Sequence, residues 1–142
     1  MGGIGFWLGI LVGGVIVTVM VIVALTRKAN ARTATPTGRS ITVTTALAPD
    51  AAFAKLTRAP LGRFRLGDSD PGRKVLVFVS SITGFSWGFF FPVFVRPASG
   101  GPAPGGSTIE TGIKSRAFQW GPLVTKSHKE FVAEVETALA AR

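Results

Sequence analysis

Few side chains in this sequence could do covalent or proton-transfer chemistry. Its 142 residues contain no cysteine and a single histidine, His128. That removes disulfides, thiolate nucleophiles, Cys-ligated zinc or iron–sulfur clusters and any poly-histidine metal site, and leaves the redox compartment open. Catalysis needs a nucleophile with its base, paired carboxylates, or ligands at metal spacing, and no such constellation is visible. Asp68 and Asp70 stand at i and i+2 and could chelate a hard cation. They sit, however, in the turn-rich run 67–72 (GDSDPG) beside Arg65 and Arg73, where carboxylates commonly shape turns and pair with charge. His128, close to Lys126 and Lys129, reads as a solvated surface imidazole. The Gly100-Gly101 and Gly105-Gly106 pairs lack the strand–glycine–helix setting and the Lys-Ser/Thr ending of a phosphate loop. The expectation is a protein with no catalytic residue, cofactor or metal site, weighed against a hydrolase or cyclase that would need a base–nucleophile pair.

Positive charge is the better-grounded signal. Sixteen Lys and Arg against seven Asp and Glu give +9, and every charged side chain comes after residue 26. Clusters fall at 27–39, 55–65 and 73–74. Arg27, Lys28, Arg32 and Arg39 are candidate contacts to anionic lipid headgroups, each worth about 1 kcal/mol near such a leaflet. Nucleic acid could use the same charges through its phosphates. It is the weaker candidate, because no helix-turn-helix and no paired aromatic strands of an RNA-binding sheet accompany them.

The elements that would position these groups begin with an anchor. Ile4 to Leu25 is a run of 22 uncharged positions, which as a helix would be roughly 33 Å long, enough for a hydrocarbon core. Residues 1–25 therefore read as one transmembrane helix, the spanning form that satisfies every backbone group of a lone segment. A cleaved signal peptide, cut at Ala29-Asn30-Ala31, is the competitor, but it lacks a basic n-region and its apolar stretch is too long. Phe6 breaks the Gly2 myristoylation pattern. With all nearby basic residues after the helix, the positive-inside bias places the rest of the chain in the cytoplasm, below the plasma membrane. Gly5, Gly9 and Gly13 share one helix face and form a candidate homodimer seam, although glycine is also simply common in membrane helices.

Residues 26–39 are small, polar and basic and read as a flexible linker lying over headgroups. Residues 40–142 form the folded domain, with strands at 40–46 and 63–66 and a helix opened by Pro49-Asp50 and closed by Pro60 and Gly62. Val75 to Val95 carries no charge and could be a second span. The turn-rich centre at Ser80-Ser81, Thr83-Gly84 and Ser86 favours two strands instead, with Pro92 at an edge or bulge because it cannot donate to a ladder. A Pro/Gly-rich loop at 97–106 precedes a strand at 107–116, then a tight segment at 118–122. The closing helix is expected over 127–141, Phe131, Val132, Val135 and Leu139 facing inward and Ser127 capping it with Glu130. The fold class is α+β: a small antiparallel sheet with a helix after the first strand and a long C-terminal helix.

That order, with Ser86-Trp87-Gly88 entering an apolar strand, Ile113-Lys114-Ser115-Arg116 ending the next and Trp120-Gly121 before the closing helix, resembles small membrane-anchored bacterial domains. They look like shortened relatives of the START and polyketide-cyclase-like, or helix-grip, group. The resemblance covers about 40–142. It implies a curved sheet gripping a long C-terminal helix, sometimes with an apolar cavity between, and carries over no catalytic residue.

The aromatic strand is the domain's most distinctive segment. Trp87, Phe89, Phe91, Val93 and Val95 point one way, and Gly88, Phe90, Pro92, Phe94 and Arg96 the other, so both faces are apolar. Trp87, Phe89, Phe91 and Phe94 are the candidate apolar contact or ligand residues. One face packs a helix; the other must meet its own chain, a twin subunit, lipid or an apolar molecule, because exposed patches of that size are rare on monomers. Eleven Phe and no Tyr bring no hydroxyl, which suits a greasy contact. Two readings follow. The first is a single-pass membrane protein with a basic, non-catalytic domain making protein or lipid contacts. The second is an anchored helix-grip module holding a hydrophobic small molecule between Phe89, Phe91, Phe94 and the closing helix. Solid packing there favours the first, an empty chamber the second.

Overall fold

A computed structural model of the chain describes residues 3–82, 86–99, 105–117 and 121–141. The turn expected at 83–84, residues 100–104 of the 97–106 loop and residues 118–120 lie outside them. Gly3–Thr26 is one helix, α1, of 24 residues. Its mean hydropathy of 2.9 and its length make it long and apolar enough to cross a membrane. Along it only Ala24 is buried, whereas Trp7 and Leu11 are 65% and 67% exposed, so protein packing does not satisfy its apolar surface.

The remainder is α+β. In chain order it runs β1 (Ser40–Thr45), α2 (Pro49–Arg58), β2 (Arg65–Asp70), β3 (Val75–Val79), β4 (Phe89–Pro97), β5 (Ser107–Gly112), β6 (Lys114–Ser115) and α3 (Pro122–Ala140). The strands make one antiparallel sheet in the order β1-β5-β4-β3-β2, with β6 beside β4. β3 and β4 pair from Val75↔Phe94 to Val79↔Phe90, so the uncharged 75–95 run is two strands and not a second span.

Pro92 lies in β4, flanked on both sides, rather than at an edge. Its missing N–H is accommodated by a lapse in the neighbouring ladder. β5 pairs with β4 up to Thr111↔Val93 and β6 resumes at Lys114↔Phe90, leaving Gly112 and Ile113 without a partner in β4 opposite the proline. Gly112 makes room for the ring, since a Cβ there would sit 3.1 Å from Pro92 Cγ. The Ile113 N–H donates to Thr37 Oγ1 at 3.3 Å instead of to the ladder.

Both faces of the sheet are covered at β3 and β4. On one, Phe78, Phe89, Phe91, Val93 and Ile109 pack against Ala52 and Leu56 of α2 and Phe131, Val135 and Leu139 of α3. The Phe91 and Phe131 rings stack at 4.4 Å between centroids, and Phe64 meets both edge-on at 5.1 and 5.2 Å. On the other, Val75, Val77, Phe90 and Phe94 pack beneath Ala31, with Ala29 and Ala34 alongside. The segment expected to be a free linker is thus the cover of the second face.

Two local expectations change. α3 starts at Pro122, so Ser127 is buried within the helix instead of capping it, because the apolar stripe continues back to Val124. β2 extends to Asp70, carrying the 67–70 residues into the sheet through an irregularity between Leu66 and Asp68.

Candidate functional site

α1 ends at Thr26, and the residues that follow turn back over the sheet. Asn30 Oδ1 accepts from the N–H groups of Arg32 (3.0 Å) and Thr33 (3.3 Å), an Asx turn that bends the chain. The Ala31 N–H donates to Asp68 Oδ2 at 2.8 Å, and Ala31 has no exposed surface. Arg73 holds the next residues by their backbone, its guanidinium donating to the carbonyls of Ala31 and Ala34, both at 3.2 Å, and of Arg32. Asp70 Oδ1 in turn accepts from Arg73 N–H at 3.2 Å. The strap crosses at Gly67, where a Cβ would lie 2.7 Å from Ala29 Cβ and 2.6 Å from Val79 Cγ2. A side chain at residue 67 would lift the strap off the sheet.

Of the two carboxylates that could have chelated a cation, Asp68 anchors this strap and Asp70 shapes the turn that carries Arg73. Among the described residues no cluster of His, Cys, Asp or Glu could hold a metal ion.

Open grooves of about 640 and 750 Å³ flank the strap. The first runs over Phe90 and Pro92 between Arg27, Lys28 and Lys114. The second joins Leu25, in the last turn of α1, to Arg32, Asp68, Phe90 and Arg116. Of the four headgroup candidates, Arg27, Lys28 and Arg32 meet at these grooves; Arg39 stands apart, at the start of the domain, where its carbonyl accepts from Thr37 Oγ1 at 2.6 Å.

Lys114 and Arg116 join the basic rim without having been singled out as contacts. The signal was present in Ile113-Lys114-Ser115-Arg116, where alternation puts both basic residues on one side of a strand. Arg116 N–H donates to Gly88 O at 3.1 Å, fixing its backbone, and its guanidinium lies 5.4 Å from the Phe90 centroid. Its Nε is buried with no hydrogen-bond partner among the described residues. Burial, and then the neighbouring charge of Arg65, lower its pKa from the ordinary guanidinium value.

The other candidates are dispersed. Phe89 and Phe91 lie in the α3-side core and Phe94 on the strap side, while Trp87 is half-buried just before β4. They do not form one ligand face. Gly5, Gly9 and Gly13 are exposed along α1, with nothing within 4 Å of a Cβ placed on any of them. His128 is buried, not solvated. Its Nε2–H donates to the Thr111 carbonyl at 3.0 Å, with Thr111 Oγ1 at 3.3 Å. Burial lowers its pKa, the Thr111 carbonyl opposes that shift, and the charge of Arg39 adds to it.

Comparison with known proteins gives no assignment: no protein-family model matches the chain, and no curated protein does.

Proposed function

We propose that the chain is a single-pass plasma-membrane protein whose basic, non-catalytic α+β domain is strapped against the cytoplasmic leaflet, where it contacts anionic lipid headgroups and membrane-borne protein. The docked strap carries this reading. A free linker of 14 residues would let the domain wander roughly 20 Å from its anchor. Here Ala31 is already locked under Asp68, so the five residues 27–31 that follow the helix can separate domain and helix end by at most about 17 Å. That keeps Arg27, Lys28, Arg32, Lys114 and Arg116 within reach of headgroups. The same geometry speaks against signal-peptide removal, because cleavage after Ala31 would take away a residue with no exposed surface.

The likeness to a shortened helix-grip domain draws support from the antiparallel sheet with α3 laid along one face. A hydrophobic guest between that sheet and α3 draws none, because stacked and edge-on rings of Phe91, Phe131 and Phe64 fill the centre, and the cleft of about 130 Å³ left between Phe89 and α3 is lined mainly by polar side chains. Protease digestion of inverted and right-side-out vesicles tests the proposal. The domain should resist carbonate extraction and be digested only in inverted vesicles; release by carbonate, or digestion from the outer side, would overturn it.

A further inference from the structure

We propose that the groove joining the last turn of α1 to Arg116 is a site for the phosphate group of one anionic phospholipid, drawn from the leaflet around the end of that helix. The proposal rests on the membrane-surface reading and adds a discrete, stoichiometric lipid to it. Three independent features meet there. The groove is continuous with the anchor, because Leu25 and Arg116 line the same space, which sets Arg116 at headgroup depth when α1 spans.

Its charge is of one sign except for Asp68. Arg27, Lys28, Arg32 and Arg116 line it, and none of them lies within ion-pair distance of a carboxylate among the described residues. One oxygen of Asp68 already accepts from Ala31. An anion is what such a lining lacks.

Finally, Arg116 has an unmet donor among the described residues. Its Nε–H is shielded from solvent with no acceptor there, while its guanidinium carbon lies 5.4 Å from the Phe90 ring centroid. A planar fork held by its backbone and an aromatic ring suits bidentate binding of a phosphodiester. The apolar floor of Phe90 and Val79 offers a surface for the first methylenes of an acyl chain. A choline headgroup would bring its cation against Arg27 and Lys28, so the site should prefer phosphatidylglycerol to phosphatidylcholine.

The test is native mass spectrometry of the full chain in detergent, titrated with each lipid. One retained phosphatidylglycerol is expected, with phosphatidylcholine retained less. Arg116→Gln should lower retention about tenfold or more, the effect of losing a charge-assisted hydrogen bond, and Arg116→Lys should restore it only in part. Arg96→Gln, at the far end of β4 and paired with Glu110, should leave retention unchanged. Circular dichroism establishes that each variant is folded; should Arg116→Gln unfold, Arg116→Lys alone decides. Equal retention in a folded Arg116 variant, or of the two lipids, would overturn the proposal. So would inorganic phosphate alone shifting the Arg116 Nε–H resonance to the same end point as the lipid, since the site would then be one for free anions. Retention in detergent does not depend on orientation in a bilayer, so this result and the vesicle digestion can fail separately.

Discussion

The Ala31 N–H donates to Asp68 Oδ2 at 2.8 Å, tying the first residues after α1 to an edge strand of the domain. Arg73 grips the same segment by its carbonyls, so one carboxylate and one guanidinium hold the strap from opposite polarities of its backbone. The strap in turn covers Val75, Val77, Phe90 and Phe94. A contact formed by small residues and backbone groups thereby takes the place of a second helix layer.

Replacing Asp68 by Ala should leave a buried N–H without an acceptor, at a cost of about 1–3 kcal/mol. Asp68→Asn retains an oxygen and should cost less. Urea unfolding measures both, and limited proteolysis should show new cleavage within residues 29–37 of Asp68→Ala before the sheet is attacked. Unchanged stability and an uncut strap would mean that the segment does not need this anchor.

Phe91→Ala should cost about 3–5 kcal/mol, because the ring has no exposed surface and is stacked on Phe131. Phe94→Ala should cost less, since only the thin strap covers it and can settle into the space. Equal losses by denaturant titration would show that the strap packs as tightly as a helix.

The long apolar N-terminal helix, the strands and the closing helix were legible because each rests on a strong local pattern: an uncharged run, period-two alternation around Ile109, and Phe131, Val135 and Leu139 at helical spacing. The strap was not. Ala29, Ala31 and Ala34 look featureless among Thr and Arg, yet their smallness is what lets this backbone lie flat on Val77 and Phe90. Gly67 likewise looked like turn chemistry when its role is to let another segment pass. Pro92 calls for an edge or a bulge because its own strand shows the missing donor but not the lapse in the ladder opposite it at Gly112. His128 was misread for a related reason: its charged neighbours in sequence lie on the outer face of α3, and burial depends on Thr111, 17 residues away.

Acidification should destabilise the domain through His128. Its folded pKa lies below the ordinary value, so the fold favours the neutral ring. Its contribution is complete above the unfolded pKa of about 6.5 and is lost as pH falls from there through the folded value, while the unfolded chain takes up a proton first. Urea midpoints measured on either side of about pH 6.5 should fall on the acid side in the parent and change less in His128→Gln. An equal fall in both would assign the effect to carboxylates.

If Gly5, Gly9 and Gly13 form a seam with a second copy, Gly9→Leu should weaken self-association, because a branched side chain prevents close approach of the two backbones. Gly14→Leu, off that face, serves as the control. A membrane two-hybrid signal unaffected by Gly9→Leu would remove the seam.

The basic rim should set how strongly the domain holds the leaflet. Exchanging Arg27, Lys28 and Arg32 together for Gln removes three charges, each worth up to about 1 kcal/mol beside anionic lipid. With α1 spanning the membrane as proposed, the change should appear in proximity rather than in pelleting. A fluorophore at exposed Lys114 should transfer less energy to acceptors in phosphatidylglycerol-rich membranes after the exchange, and raised salt should reduce transfer in the parent. The strap limits how far this can go: with Ala31 docked, the domain stays within about 17 Å of the helix end even when neutralised. A large drop in transfer is therefore expected only when Asp68→Ala is added, and a large drop without it would mean that charge, not the strap, holds the domain at the surface.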